Sequence, residues 1–371
     1  MYLCSMERDI ITYFSEIEDP RVVGRCSHLL SDILLVALCT YLTGGSDYQD
    51  MHLLAKERGS QLQGILELPN GAPSADTFER VFKQLAPDAL QECLERYGQD
   101  ILSVLAEKQI VLDGKKLKGV SPASKGNSGL YLLNAWVSEN SLCVGQEKVE
   151  DKSNEITAIP KILDSLDIEG AVISIDAIGT QTKIAEQIRS KQGDYILSVK
   201  SNQQELLDDI QCAFKTHSGY HSVEDWDYGH GRIETRKCSI LLAKDFLLQE
   251  NLSDWKDLTT LIKVDSTREI NGIITAKTRY FISNENNTNA AYYSSLVRAH
   301  WTIENKLHWH LDITFKEDMC RARTGYAPEN LSAIRKLALQ MITNTNDKLS
   351  LKKRQYKAAL DTKYMIKLIK F

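Results

Sequence analysis

The run AVISID, residues 171–176, is short, almost wholly apolar and closed by a carboxylate. Such a run predicts a strand buried in a sheet and ending at Asp176. Upstream, IVLDGK at 110–115 repeats the pattern and ends its apolar part at Asp113. LYLLNAWV at 130–137 and Leu142 to Val149 read as two more strands, joined by the turn Glu139-Asn140-Ser141. A helix is expected from Asn154 to Leu166 with Pro160 in or near its first turn. Downstream come a helix from Thr182 to Lys191, a strand DYILSVK at 194–200 and a helix from Gln203 to Phe214. Three meandering strands followed by alternating helix and strand predict an α/β fold around a mixed five-stranded sheet, antiparallel on one side and parallel on the other.

On either side of this core the pattern changes. Residues 1–105 read as helices. Ser27 to Leu42 is a buried helix stopped by Gly44-Gly45, and Ser74 caps a helix with Phe78, Val81, Phe82 and Leu85 on one side and Glu79, Arg80 and Lys83 on the other. Lying after a Gly/Pro turn, this last helix could read DNA in a helix-turn-helix or could simply belong to a bundle. Residues 216–288 show short alternating strands, at Ile233 to Leu242, Thr259 to Val264 and Ile273 to Ile282, and read as a β-rich insertion. The remaining divisions are 106–215 for the first part of the core, 289–325 for its final helix and 326–371 for a basic helical tail. From Arg335 onward ten Lys or Arg face two acids, an excess of +8.

The whole chain has 371 residues, 43% hydrophobic and 26% charged, with a formal charge of −5. That balance excludes a uniformly basic coat, so a nucleic-acid surface must come from local clusters of Lys and Arg. Eight cysteines form no CxxC pair and read as scattered thiols in a reducing compartment. The most apolar segment, Leu29 to Leu42, is shorter than the roughly 20 residues of a membrane span. It is interrupted by Asp32, and no signal peptide is apparent, so the expected location is cytoplasmic.

The stretch Tyr293 to Arg323 reads as one helix placing Val297, Trp301, Glu304, His308 and Leu311 on a shared face. Neighbouring strand ends would hold Asp113 and Asp176 about 4.8 Å apart. Carboxylates so close repel unless a cation neutralises them. A third carboxylate, Glu304, would complete an oxygen site for Mg²⁺ or Mn²⁺, and two such ions serve in-line phosphodiester transfer. Each acid also has an ordinary explanation, since an aspartate closing a strand is usually a turn or cap residue. His300, Glu304 and His308 could form a transition-metal face, although no HExxH occurs. Trp301 and Trp309 read as core rather than as platforms for bases.

The runs DPR (19–21), PSADTFERVF (73–82), LDGKKLKG (112–119), KSNEITAIP (152–160), IDAIGTQ (175–181), DYILSVKSNQ (194–203), HGRIETR (230–236) and RAHWTIENKLHWHLDITFKED (298–318) resemble the ISAs-type insertion-sequence transposases. These include the H-repeat-associated proteins and belong to the DDE superfamily. The resemblance implies an RNase H-like catalytic core, a β-strand insertion before the last acid, and Asp113, Asp176 and Glu304 as the catalytic, metal-binding triad for two Mg²⁺ (or Mn²⁺) ions. Related enzymes carry the signature Y-x2-R-x3-E-x6-K, but this chain has Val297, His300 and Leu311 at its non-acidic places. His300 keeps a donor there, and the other two cannot grip a phosphate.

The candidate DNA contacts are Lys115, Lys116 and Lys118 after the first acid, and Lys200, Asn202 and Gln203 after the fifth strand. To these are added His230 and Arg232 in the insertion turn, and Arg298, His300, Lys306, Arg321 and Arg323 around the third acid. The implied function is cleavage at the ends of an insertion sequence and transfer of the 3′-hydroxyl strand to target DNA. Its partners would be double-stranded DNA, as terminal inverted repeats and target, and a second copy in a synaptic homodimer. The alternatives are a metal-dependent nuclease without strand transfer and a transposase-derived, non-catalytic DNA-binding protein.

Overall fold

The computed structural model describes residues 9–22, 24–102, 108–120, 130–149, 155–217, 221–229 and 231–370. The chain divides into two compact units. One comprises Met1–Ala106, Gly114–Asn154 and Glu304–Phe371, the other Glu107–Asp113 and Glu155–Ile303. Two of the four points at which the backbone passes between them, 113/114 and 303/304, lie immediately beside Asp113 and Glu304.

The first unit is mainly helical. Its N-terminal helices are α1 (Ile10–Ser15), α2 (Leu30–Leu42), α3 (Tyr48–Arg58), α4 (Ala75–Gln84) and α5 (Pro87–Leu102). Asp32, which interrupts the apolar run of α2, is buried but accepts hydrogen bonds from the backbone N–H groups of Glu67 and Leu68 at 3.0 and 2.8 Å. Its charge is thereby solvated inside the protein, which lets the surrounding leucines bury. Helix α4 starts where the Ser74 hydroxyl accepts from the Thr77 N–H at 3.3 Å, and it buries Phe78, Val81 and Phe82.

Two strands, β2 (Leu130–Val137) and β3 (Leu142–Val149), form an antiparallel hairpin in this unit. Of its C-terminal helices, α12 (Ala327–Thr343) is buried from Ala327 to Ile342, while α13 (Leu351–Leu360) and α14 (Thr362–Ile369) are amphipathic. The turn into α12 depends on Gly325 at φ +58°. A Cβ there would stand 2.4 Å from the carbonyl oxygen of Lys83. The expectation of a basic tail needs correction at its start, because Arg335 and Lys336 are buried within α12.

In the second unit the first half of β1 (Lys108–Leu117) runs parallel to β4 (Ala171–Ile175), and β4 runs parallel to β5 (Asp194–Val199). Helices α6 (Glu155–Ser165), α7 (Thr182–Ser190) and α8 (Gln204–Thr216) alternate with these strands. Then follow β6 (His221–Gly229), β7 (Arg232–Leu242), the short α9 (Gln249–Asp254), β8 (Thr260–Ile270), β9 (Ile273–Ser283) and α10 (Ala290–His300). The hydrogen-bonded strand order is β3-β2-β1-β4-β5-β9-β8-β7-β6, a mixed sheet of nine.

That count differs from the expected five because the insertion strands continue the core sheet. Tyr280 to Ser283 of β9 pair antiparallel with Ile196 to Val199 of β5, covering an edge whose backbone groups would otherwise lack partners. Strand β6 was not anticipated from sequence, since HSVEDWDYG carries three acids and little alternation. Its pairing with β7 supplies the order that its composition does not signal. The core between sheet and helix includes Val172, Ile196, Ile240, Ile262 and Phe281 against Tyr293, Leu296 and Val297 of α10.

Among the described residues no helix is long and apolar enough to cross a membrane. Cys39, Cys93, Cys143 and Cys238 are buried free thiols; Cys212 is exposed, and Cys26 and Cys320 are half-buried.

Candidate active site

In the second unit, β1 and β4 are paired in register up to Leu112 and Ile175, and the next residue on each strand is an aspartate. Asp176 therefore follows the carboxyl end of β4, and Asp113 lies within β1 at the end of the part that pairs with β4. Both are half-buried. Asp176 has begun to act as a cap: its Oδ1 accepts from the Ile178 N–H at 2.8 Å, and its Oδ2 lies 3.5 Å from Lys200 Nζ. The ordinary and the chemical readings of this aspartate thus coexist, because one oxygen anchors the turn while the other faces a cation.

The turn after Asp176 is held from β5 and the residues beyond it. Thr180 donates through its hydroxyl to Ser198 O at 2.6 Å, Asn202 Nδ2 donates to Ala177 O at 2.6 Å, and Gln203 Nε2 donates to Thr180 O at 2.9 Å. Asn202 and Gln203, expected to touch DNA, give their amide N–H groups to the backbone of the turn that follows Asp176. Lys200 remains largely exposed beside it. A carboxylate that sequence reasoning missed is Glu155, at the start of α6. Burial, and then the charge of Asp176, pushes its carboxyl above the usual glutamate range. The signal was available in the KSNEITAIP run, of which Lys152 to Asn154 lie outside the described residues.

Helix α10 packs on the sheet, ties Gln109 Nε2 to Leu296 O at 2.9 Å, and ends at His300. His300 Nδ1 and Ser174 Oγ share a 2.6 Å hydrogen bond, two residues before Asp176 on β4. Val297 is core, and Arg298 is exposed. Trp301 is 46% exposed with the Arg279 guanidinium 5.2 Å from its ring centre. It is therefore not the core residue its spacing suggested. His230 lies outside the described residues, and Arg232 Nε stands 3.2 Å from Glu234 Oε1.

The expected single helix is interrupted where the chain enters the first unit. Ile303–His308 is a π-helix, followed by α11 (Trp309–Ile313). An i→i+5 turn adds a residue to the turn, so the face predicted from a 3.6 period is lost beyond it. Glu304 is about half exposed, with Oε2 3.4 Å from Nδ1 of the buried His308. Leu311 is buried, whereas Trp309 is 52% exposed. The carboxylate consequently faces outward, not into an aromatic core.

The three lysines after Asp113 differ from one another. Lys115 is buried, with Nζ 2.7 Å from Asp312, 3.2 Å from Glu317 and 3.7 Å from Asp318. Burial alone would lower its pKa, but the facing charges of Glu317, Asp312 and Asp318 hold it above the ordinary lysine value. It is an internal cation, so the expectation of a DNA contact is corrected. Lys116 is exposed beside the Tyr131 ring, and Lys118 Nζ pairs with Asp318 Oδ2 at 2.9 Å. Glu317 is wholly buried. Its desolvation is outweighed by Lys115, Arg335, Lys336 and the Ser332 hydroxyl, which keep its carboxyl below the usual range. Lys306 and Arg321 are exposed, and the exposed Arg323 donates through Nε to Gly119 O at 2.7 Å.

Carboxylate oxygens are donors of the kind that hold a divalent cation, and an imidazole can serve as a further ligand. A family model described as the transposase DDE domain matches residues 105–341, and one described as DDE_Tnp_1-associated matches 11–97. The chain is 34% identical to "H repeat-associated putative transposase YhhI" of Escherichia coli K12, with 98% of both chains covered. It is 34% identical to "Putative transposase YncI" of E. coli O157:H7 over 96% of this chain and 93% of that one. An uncharacterized protein of the dhlA 3′ region in Xanthobacter autotrophicus is 41% identical over 73% of this chain and 92% of its own.

Proposed function

Since this chain belongs to the family of transposases with a DDE domain, we propose that it cuts the ends of an insertion sequence and joins the freed 3′-hydroxyl strand to target DNA. Asp113, Asp176 and Glu304 are the catalytic carboxylates of this reading and the ligands of two Mg²⁺ or Mn²⁺ ions. The observation that carries it is the pairing of Leu112 with Ile175, which leaves an aspartate next on each of two adjacent parallel strands of a chain matching the DDE model.

When bound, the ions would supply charge neutralisation at the phosphate and lower the pKa of the attacking water or hydroxyl. The chain's own residues do the rest. The Ile178 N–H and the Asn202 and Gln203 amides fix the Asp176 turn, Ser174 orients His300 as a donor towards a phosphate oxygen, and His308 orients the Glu304 carboxylate. Lys200, Arg298, Lys306 and Arg321 are proposed phosphate contacts, which fix register without reading sequence. The three parallel strands with an antiparallel hairpin support an RNase H-like core, and the insertion corresponds to β6 to β9. Residues 1–105 are proposed to bind the element's ends, and a homodimer to hold two ends together.

The test is metal-dependent cleavage and joining of DNA carrying the flanking repeats, comparing wild type with Asp176→Asn. Products that require Mg²⁺ or Mn²⁺ and vanish in the variant support the reading. Cleavage without any joined product would make the protein a nuclease, and tight specific binding without cleavage would make it a non-catalytic DNA-binding protein.

A further inference from the structure

Beyond α12 the first unit closes with two helices whose charges are sorted by position. Arg354, the arginine of α13, is turned inward. It bonds to Asp347 at 2.7 Å and to the carbonyls of Ile342 and Thr343, at the end of α12, at 2.6 and 3.0 Å. Lys352, Lys353 and Lys357 on α13, by contrast, are exposed, as are Lys363 and Lys367 on α14 and Lys370 at its end. At 3.6 residues per turn the three lysines of α13 fall within about 140° of the helix, an arc they share with the exposed Tyr356 and Leu360. Those of α14 are four and three residues apart and so lie on one side of it.

The acids of this stretch are committed to the fold. Asp347, besides holding Arg354, accepts from the Tyr364 hydroxyl at 2.5 Å. Asp361, the one exposed acid among the described residues from 344 on, caps α14 by accepting from the Lys363 and Tyr364 N–H groups at 2.9 and 3.2 Å. Nor are the helices a loose tail. Across the corner between them Arg58 of α3 donates to Ala358 O and Ala359 O at 3.1 and 2.8 Å and to Thr362 Oγ1 at 2.6 Å, while Gln355 Nε2 donates to Tyr41 O at 3.0 Å. Ala358, Met365, Leu368 and Ile369 are buried, so the apolar sides are already packed and not available to lie in a bilayer. What remains outside is a fixed cationic surface, suited to a polyanion.

Duplex DNA is the polyanion that the proposed function supplies. Lysine meets phosphate as a compact point charge, and phosphate contacts hold a duplex without reading its sequence. Such a surface fits the duplex whose sequence is free, the target, rather than the repeats, whose sequence has to be recognised. We propose that the lysine face of α13 and α14 binds target DNA through its phosphates, independently of sequence. The inference rests on the proposed transposase reading and names the surface at which the second DNA substrate docks.

The experiment uses the full chain and a random-sequence duplex, with Ca²⁺ in place of Mg²⁺ to allow binding without cutting. One variant combines Lys352→Gln, Lys353→Gln and Lys357→Gln, and the other Lys363→Gln, Lys367→Gln and Lys370→Gln. Each should reduce the slope of log K against log salt by about 2–3, since a lost phosphate contact accounts for about 0.9. Arginine at the same positions should keep the slope. In Mg²⁺, joining at limiting target should fall about tenfold and recover as target is raised, with cleavage of the repeat end near wild type. Unchanged slopes in a protein that cuts and joins overturn the proposal and leave the transposase reading standing; lysine-dependent sedimentation with phosphatidylserine vesicles would then assign the face to a membrane surface. A loss of end cleavage as large as the loss of joining also overturns it, by assigning the lysines to the repeats. A protein that binds random duplex through these lysines but neither cuts nor joins would keep the duplex-binding face and remove the catalytic reading instead.

Discussion

Lys115 Nζ stands 3.2 Å from Glu317 Oε2, and neither side chain has appreciable contact with water. The two residues are 202 positions apart and close an internal charge cluster that also contains Arg335 and Lys336, both 1% exposed. Removing one member strands the others in a low-dielectric interior. Lys115→Met is therefore expected to destabilise the first unit by about 3–5 kcal/mol, well beyond the effect of a lost surface contact. Denaturant unfolding of the variant checks this, and near-wild-type stability with weakened DNA binding would return Lys115 to the surface role first expected of it.

The same cluster sets a pH dependence. Glu317 is held below the ordinary glutamate value of 4.5, so its contribution is fully present above that pH and is lost as pH falls through the lower folded value. An acid titration of stability should show a limb below about pH 4.5. Glu317→Gln, lower in stability throughout, should show a shallower limb, and an unchanged slope would remove Glu317 from the acid response.

Asn202 and Gln203 give a contrast between positioning and contact. Because their amides hold the 177–180 backbone, Asn202→Ala and Gln203→Ala should slow cleavage by about tenfold through misplacement of Asp176. Their DNA affinity and its salt dependence should stay near wild type. A direct phosphate contact would instead weaken DNA binding, with the salt dependence little changed because a neutral amide displaces no counterion.

Ser174→Ala breaks the 2.6 Å hydrogen bond between β4 and His300 at the end of α10. The expected loss is about 1 kcal/mol of stability. It should be accompanied by slower cleavage as the imidazole loses its orientation, with recovery in Ser174→Thr if the enlarged side chain is accommodated. Equal loss of activity in a His300→Ala background would show that Ser174 acts elsewhere.

Much of this architecture could be read from the sequence because the relevant signals are local. Apolar runs ending at Asp113 and Asp176 identify β1 and β4, and Ser74 with Phe78, Val81 and Phe82 identifies α4. The rest depends on distant partners or on unusual turns. Lys115 looks like one of three surface lysines until Asp312 and Glu317 arrive from far along the chain, and Arg335 and Lys336 count as tail charges for the same reason. The face drawn through Val297, Trp301, Glu304, His308 and Leu311 assumes 3.6 residues per turn throughout. Helix α10 ends at His300 and the π-helix at 303–308 breaks that assumption further, so Trp301 and Glu304 are exposed while His308 and Leu311 are buried. In the insertion, β6 escaped notice because its order comes from β7 rather than from its own composition.

Strand β6 closes one end of the nine-strand order and among the described residues pairs with β7 alone, leaving an edge of the kind by which sheets of separate molecules add to one another. Its composition works against that outcome. Glu224, Asp225 and Asp227 lie within nine residues, so two such edges brought together would face each other with like charges. The acids that made this strand hard to foresee therefore act as a colloidal safeguard, keeping an extended sheet from growing beyond its own chain.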